Sequence, residues 1–348
     1  MMRAVSDDSL SPVRRGLLDT GSPRNGDIMT MTIERPGDLD SLIGQRELRA
    51  RIKIVMAGAL IRETKPPHVL LSGPAGTGKT TLARIVAHEL GAQLVTTTGP
   101  ALRRVADLAG ILFSLKNDDD SIGVLFIDEI HRLPAAVEEA LYEALEDATL
   151  TLITGSGAEA KSVSLKLPPL VIVGATTKPG ALSQPLRDRF GFHGVMAPYS
   201  VDEIAFIIGR EWTRHAREFT KDAALLVASR SKGVPRLSLH LAARVLDVTS
   251  IERTEINADT AKRALEAFGV GRDGLDETDW RIIESLCVTF CGRAVGIDAL
   301  AQSLDLDAAT IENEHEGALV RAGLMVRTRT GRMASPDAYD LLKKGERF

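Results

Sequence analysis

Nowhere in its 348 residues does the chain carry an apolar run long enough to cross a bilayer, and its N-terminus lacks the apolar stretch that a secretory signal needs. Both absences lead to the expectation of a soluble, cytoplasmic chain with no membrane contact. Cysteine is almost missing. Cys287 and Cys291 are the only two, one helical turn apart, with no companion CxxC and no nearby His pair. That spacing argues against a zinc site and for a helix face in a reducing compartment. An excess of positive charge is missing too: 43 Lys and Arg stand against 47 Asp and Glu, a formal charge of -4. No chain-wide basic field exists, so any contact with nucleic acid must be local. No internal repeat is evident. What remains is ordinary globular material, 44% hydrophobic and 26% charged, enough for two or three domains.

The first thirty or so residues, rich in Ser, Asp, Arg, Pro and Gly, have little periodicity and read as disordered or as a loosely attached extension over 1–33; Met29 and Met31 suggest an alternative start. From Arg35 short β-rich runs alternate with amphipathic stretches, the pattern of a parallel sheet wrapped in helices over 34–198. HVLLSGPAGTGKTTLARIVAHEL (68–90) reads as strand, Gly-rich turn and helix. VLFIDEIHRL (124–133) reads as a buried strand ending in acids, followed by a helix over 135–146, a hairpin over 149–167 around a Gly-Ser-Gly centre, and a third buried strand from 170. After Pro198 come helical stretches at 201–218, 221–231, 237–250 and 257–268, a small helical domain over 199–270. A Gly-rich linker then leads into 271–348, where two β-prone runs around Thr330-Gly331 follow helices, as in a winged helix.

Gly73 to Thr80 matches GxxxxGK[ST] between a buried strand and an amphipathic helix, the context that motif requires. Its glycines, Gly76 and Gly78 among them, let backbone N–H groups turn inward around phosphates at a helix N-terminus. Lys79 would neutralise β- and γ-phosphate charge of ATP, and the Thr80 hydroxyl would coordinate Mg²⁺. Asp128 and Glu129 end the second strand beside that loop; Asp128 would hold Mg²⁺ through water and Glu129 would polarise the attacking water. Thr176 and Thr177 close the third strand and could place a hydroxyl on the γ-phosphate or the water. Arg187 and Arg189 offer the positive charge that phosphoryl transfer needs. An Arg189 that points away from its own nucleotide would act on a neighbour's, which implies a ring. Arg236, in GVPR, opens a helix of the second domain and could reach the γ-phosphate across the domain boundary.

Taken in order, ERPGDLDSLIGQ, GPAGTGKTTLA, LFIDEIHRL, the EALYEALED run, GATTKPG, PLRDRFG and GVPR resemble the RuvB family of branch-migration motors, over about Arg35 to Leu342. The resemblance implies an α/β fold: an AAA+ P-loop ATPase domain with a parallel sheet, a small helical lid domain and a C-terminal winged helix. It also implies hexameric rings around duplex DNA, with a RuvA-like protein holding the four-way junction. By the same resemblance Arg35 and Ile43-Gly44-Gln45 form the adenine-side wall, while Gly76, Lys79, Thr80 and Thr81 contact phosphate and magnesium. Glu146, Asp147, Ala148 and Tyr199 border nucleotide; Arg189 is the trans-acting finger and Arg236 the second sensor. The 149–167 hairpin grips the RuvA-like partner, and Arg327 and Arg332 contact DNA. Contact with backbone phosphates suits a motor that must move over any sequence.

The chain departs from the family pattern at Ala75 and Thr77, neither of which touches a ligand, at Lys178, where arginine is usual, and at Asp337, an acid that would repel phosphate near the wing. Two other readings stay open on the residues alone: a clamp-loader or initiator type of AAA+ machine, which a helical collar in place of a winged helix would mark, and a regulatory ATP-binding scaffold that hydrolyses little. Glu129, Arg189 and Arg236 speak against the scaffold, since a pure switch has no need of a water-polarising acid.

Overall fold

The computed structural model describes residues 36–115, 122–154, 161–271 and 274–344; the extension over 1–33, Arg35 and the Gly-Ser-Gly centre of the hairpin lie outside them. The chain runs α1 (Arg46–Ile61), β1 (Val69–Ser72), α2 (Lys79–Glu89), β2 (Gln93–Thr98), α3 (Val105–Ser114), β3 (Gly123–Asp128) and α4 (Ala135–Glu146). The hairpin β4 (Thr149–Thr154) and β5 (Lys161–Lys166) leads to β6 (Leu170–Thr176), α5 (Gln184–Asp188) and β7 (Phe192–Val195). The five strands outside the hairpin form one sheet in the order β2-β3-β6-β1-β7, with every neighbouring pair parallel.

Helices cover both faces of this sheet, so its middle strands are apolar up to their last residues, Ser72, Asp128 and Thr176, and every residue of β6 is buried. Alternation along each strand sorts the side chains between two cores. Leu70, Leu125, Ile127 and Ile172 pack with Leu108 and Leu112 of α3 and Val137 and Leu141 of α4. Leu71, Val124, Phe126, Val171 and Val173 face the other way, against Ile52 of α1 and Leu82 and Ile85 of α2. Truncating Phe126 to alanine is expected to remove about 3–5 kcal/mol. The edge strands β2 and β7 were not read from the sequence. Both are partly exposed and interrupted by polar or small residues, as edge strands usually are.

Next come α6 (Val201–Arg214), α7 (Lys221–Ser229), α8 (Pro235–Glu252) and α9 (Ala258–Ala267). A reciprocal cap starts α6: the Ser200 hydroxyl accepts from Glu203 N–H at 3.2 Å while the Glu203 carboxylate accepts from Ser200 N–H at 2.8 Å. Trp212, fully buried, anchors the bundle and donates Nε1–H to the Ala242 carbonyl at 3.1 Å. Helix α8 begins two residues earlier than its periodicity indicates, because Pro235 is accommodated in the first turn.

The C-terminal part holds α10 (Glu277–Glu284), α11 (Ile297–Leu304), α12 (Ala308–Thr310), α13 (Gly317–Arg321), the hairpin β8 (Met325–Thr328) and β9 (Gly331–Ala334), and α14 (Pro336–Lys344). Wide π-type turns over Ser285–Thr289 and Ile311–Glu316 extend α10 and join α12 to α13. Helices followed by a two-stranded wing make this a winged helix. The two cysteines do not share a helix face: Cys287 is buried, whereas Cys291 is exposed and lies past the helix end with φ 51°. Among the described residues no helix is long and apolar enough to cross a membrane.

Candidate functional site: a nucleotide cleft and a basic wing

The turn after β1 passes between the sheet and the helical bundle. Gly76 has φ +74°, and a Cβ there would stand 2.7 Å from Val234 Cγ1 and 3.1 Å from Arg236 Cβ, so only glycine lets the two parts approach so closely. Arg236 N–H donates to the Gly76 carbonyl at 3.3 Å, which places the first turn of α8 directly on the phosphate-binding turn. Gly78, at φ +102°, precedes α2 without any side-chain cap, and the first-turn N–H groups beside Thr80 and Thr81 are left for a ligand.

Lys79 is buried, and its ammonium donates to the carbonyls of Gly73 and Pro74, both at 2.8 Å. Burial lowers its pKa, Asp128 and Glu129 oppose that effect, and Arg236 adds to it. A buried cation resting on carbonyls of its own loop is a group built to meet an anion.

Asp128 ends β3 beside Thr98 of β2, and its carboxylate accepts from Glu129 N–H at 2.9 Å. At Glu129 the backbone turns to φ 50°, which breaks the strand alternation. The Glu129 carboxylate lies 3.3 Å from the Thr177 hydroxyl and 3.3 Å from His131 Nε2. His131 Nδ1 is 2.9 Å from the Thr176 hydroxyl, whose oxygen also accepts from Lys178 N–H at 3.0 Å. Burial lowers the His131 pKa although Glu129 pulls the other way, which favours the neutral ring. With one ring N–H to place, every group is satisfied when Nε2–H donates to Glu129 and Nδ1 accepts from Thr176. His131 was missed in the sequence because its partners are defined only by the fold.

Tyr199 closes the cleft from the bundle side. It is buried, and a Cβ on Gly44 would come within 2.7 Å of its ring, while one on Gly78 would lie 3.7 Å from its hydroxyl. Burial pushes its phenol up to about 12. Gln45 clamps the same corner through Ala197, donating to its carbonyl at 2.7 Å and accepting from its N–H at 3.2 Å. Ile43 packs against the bundle core.

Arg189, Glu146, Asp147 and Ala148 stand elsewhere. Arg189 pairs with Glu146 at 3.2 Å, donates to the Pro185 carbonyl at 2.8 Å and stacks 4.4 Å over the Tyr142 ring. It precedes Phe192, which lies opposite Val69 at the entrance of β1, whereas the phosphate-binding turn leaves β1 after Ser72. The strand separates the two by about 13 Å along its axis. Asp147 and Ala148 follow Glu146 at the end of α4, so this group gathers at the opposite edge of the sheet from Lys79. The Arg187 guanidinium donates to its neighbour Gln184 at 2.5 Å.

On the wing, Arg327 and Arg332 are cross-strand partners and project on one face. Both donate to Glu316, whose side chain is fully buried, and Arg332 also reaches Glu312 at 3.1 Å. Glu312 in turn takes the Lys178 ammonium at 2.7 Å. The two acids were not singled out from the sequence.

Family models describe the same three parts: the Holliday junction DNA helicase RuvB P-loop domain matches residues 34–196, the RuvB AAA lid domain 199–271 and the RuvB C-terminal winged helix domain 272–343. A Holliday junction branch migration complex subunit RuvB of Kosmotoga olearia is 42% identical over 312 residues, 89% of this chain and 90% of that one. The chain belongs to the RuvB family. A RuvB subunit of Corynebacterium diphtheriae is 44% identical over 88% of this chain and 83% of its own length. Among solved structures, the Thermotoga maritima RuvB Holliday junction branch migration motor superposes with a TM-score of 0.80 at 39% identity, covering 89% of this chain and 98% of that one. The RuvB relationship thus extends from the phosphate-binding turn through the wing, and it makes nucleotide the ligand class of the cleft.

Proposed function

We propose that this chain is an ATP-driven DNA motor that moves the branch point of Holliday junctions during recombination and repair, working in the cytoplasm as a hexameric ring around duplex DNA with a RuvA-like junction-binding protein. The observation that carries the reading is the separation of Lys79 from Arg189. The cleft holds a buried ammonium, a carboxylate set by two hydrogen-bonding neighbours and a lid arginine, yet its remaining arginine sits at the far edge of the sheet. A neighbour in a ring would bring that edge, with Glu146, Asp147 and Ala148, onto the open side of the cleft.

In this reading Lys79 leaves the Gly73 and Pro74 carbonyls for the β- and γ-phosphates, and the Gly76–Thr81 backbone cradles the rest. Thr80 and Asp128 would hold Mg²⁺, which supplies positive charge to the phosphate oxygens. Glu129, held by Thr177 and His131, orients the water, and Arg236 reports the γ-phosphate to the bundle. Ile43 and Tyr199 wall the base side, and Arg35 belongs there by the family pattern. Arg327 and Arg332 grip backbone phosphates. Domain limits near 198 and 270 follow from the same reading, and the 149–167 hairpin is the surface offered to the RuvA-like partner.

A branch-migration assay on a synthetic four-way junction, with and without RuvA and ATP, tests it. Dissolution that requires ATP and disappears in Lys79→Ala is expected; vigorous hydrolysis with no dissolution in any combination would favour a loader type of machine. Arg189→Ala should abolish hydrolysis while sparing nucleotide binding, and mixing it with Glu129→Gln subunits should restore part of the turnover, because one variant supplies the intact carboxylate and the other the intact arginine.

A further inference from the structure

Lys178 lies at the meeting point of two systems that the sequence presents as unrelated. On one side it follows Thr177, whose hydroxyl faces Glu129 at 3.3 Å, and its own N–H donates to the Thr176 hydroxyl that meets His131. Two short routes therefore join the backbone at 176–178 to the carboxylate that orients water. On the other side its ammonium crosses 134 residues of sequence to Glu312 Oε2 at 2.7 Å. The second oxygen of Glu312 accepts from Arg332 at 3.1 Å, and Arg332 shares Glu316 with Arg327. These groups border an open cleft of about 520 Å³ between the 177–179 loop and the wing.

Three cations, Lys178, Arg327 and Arg332, thus share two carboxylates. Phosphates of a duplex on the wing would compete with Glu312 and Glu316 for the arginines, since all of them offer anionic oxygens to the same guanidinium forks. Lys178 and Glu312 keep 40% and 29% of their side-chain surface exposed. A pair so exposed is weak and screened by water, as a contact whose strength changes in each cycle must be.

We propose that Glu312 is the positioning residue through which duplex DNA on the wing acts on the Thr177 loop. Without DNA it divides its carboxylate between Arg332 and Lys178. When phosphates draw Arg332 away, Glu312 is left to Lys178 alone, the ion pair tightens, and the 176–178 backbone settles the Glu129 carboxylate for hydrolysis. The proposal rests on the wing gripping DNA, as set out above, and adds the route by which that grip reaches the nucleotide.

Two measurements on the full-length chain test it: affinity for a blunt duplex by fluorescence anisotropy, and the ratio of ATP turnover with that duplex to turnover without it. Glu312→Gln removes a competitor for the arginines, so duplex binding should hold or tighten by up to about fivefold. The stimulation ratio should fall at least about fivefold, carried in kcat with KM for ATP unchanged. Lys178→Met breaks the same pair from the other side and should lose stimulation likewise; Lys178→Arg keeps the pair and should keep it. A merely structural contact would weaken DNA binding and stimulation together, and that parallel loss overturns the proposal. Full stimulation in Glu312→Gln and Lys178→Met also overturns it, while leaving the motor reading intact. A wild-type chain that neither binds the duplex nor hydrolyses faster on it overturns the motor reading and the coupling with it.

Discussion

Among the described residues, two sets of charges that differ in burial join the winged helix to the rest of the chain. At the helical bundle, Lys232 meets Asp279 and lies 3.1 Å from Asp276, while His315 Nδ1 stands 2.8 Å from Asp279. The Lys232, Asp279 and His315 side chains are 11%, 0% and 10% exposed. At the sheet, the Lys178–Glu312 pair is 40% and 29% exposed. The buried joint satisfies Asp279 from Lys232, His315 and the Asp276 N–H, so opening it would strand a charge away from water. Opening the exposed joint merely hands its charges to solvent. Lys232 also lies in the loop between α7 and α8, and the first turn of α8 carries Arg236 onto Gly76. The buried joint therefore keeps the wing fixed to the bundle that carries Arg236, and the exposed one is the contact that the proposed coupling needs to change.

The sharpest way to break this contrast is to remove the central acid. Asp279→Ala leaves Lys232 without its main partner and is expected to destabilise the chain by about 3–5 kcal/mol in denaturant unfolding. Pairing it with Lys232→Met should recover much of that loss, since an apolar pair carries no stranded charge. Glu312→Gln, by contrast, should change stability by less than about 1 kcal/mol. Equal effects at the two joints would end the distinction.

A smaller effect comes from acid. Burial tends to raise the Asp279 pKa and is the largest single influence, but the His315 hydrogen bond, the charge and bond of Lys232 and the Asp276 N–H together bring it below its usual 3.8. A depressed carboxyl pKa contributes stability that is complete above the unfolded value of about 3.9 and is lost as the pH falls through the folded one. The Tm difference between wild type and Asp279→Asn should therefore be constant down to about pH 5 and shrink below about pH 4. A difference that widens in acid would mean that Asp279 is not held ionised.

Much of this frame is legible in the chain itself, and what is not has a physical reason. The runs at β1, β3 and β6 are apolar because helices bury both faces, and GPAGTGKT marks the turn that follows β1. QLVTTT and FHGV carry no such signature, since an edge strand needs only part of its surface buried. The Asp-x-x-Asp start of α10 is readable as a helix cap, and Asp276 and Asp279 do form a capping box. That Asp279 also holds Lys232 and His315, 47 and 36 residues distant, is fixed only when bundle and winged helix meet. Glu312 and Glu316 look like solvated helix charges in one dimension. Their value as partners for Lys178 and the wing arginines comes from long-range packing, which no local period reports.

Salt gives the smallest and most selective probe of the two joints. Screening acts on charges that water reaches, with a Debye length of about 10 Å at 0.1 M falling to about 3 Å at 1 M. At the exposed joint, the stability difference between wild type and Glu312→Gln should fade as NaCl rises from about 0.05 to about 1 M, because the pair being compared is progressively screened. At the buried joint, ions do not enter between Lys232 and Asp279, so the loss caused by Asp279→Ala should be nearly unchanged over the same range. Urea unfolding of the three proteins across that series measures both slopes at once. A buried-joint effect that fades as fast as the exposed one would show that water and ions already reach Asp279, and the fixed joint would then be as free to open as the one at the sheet.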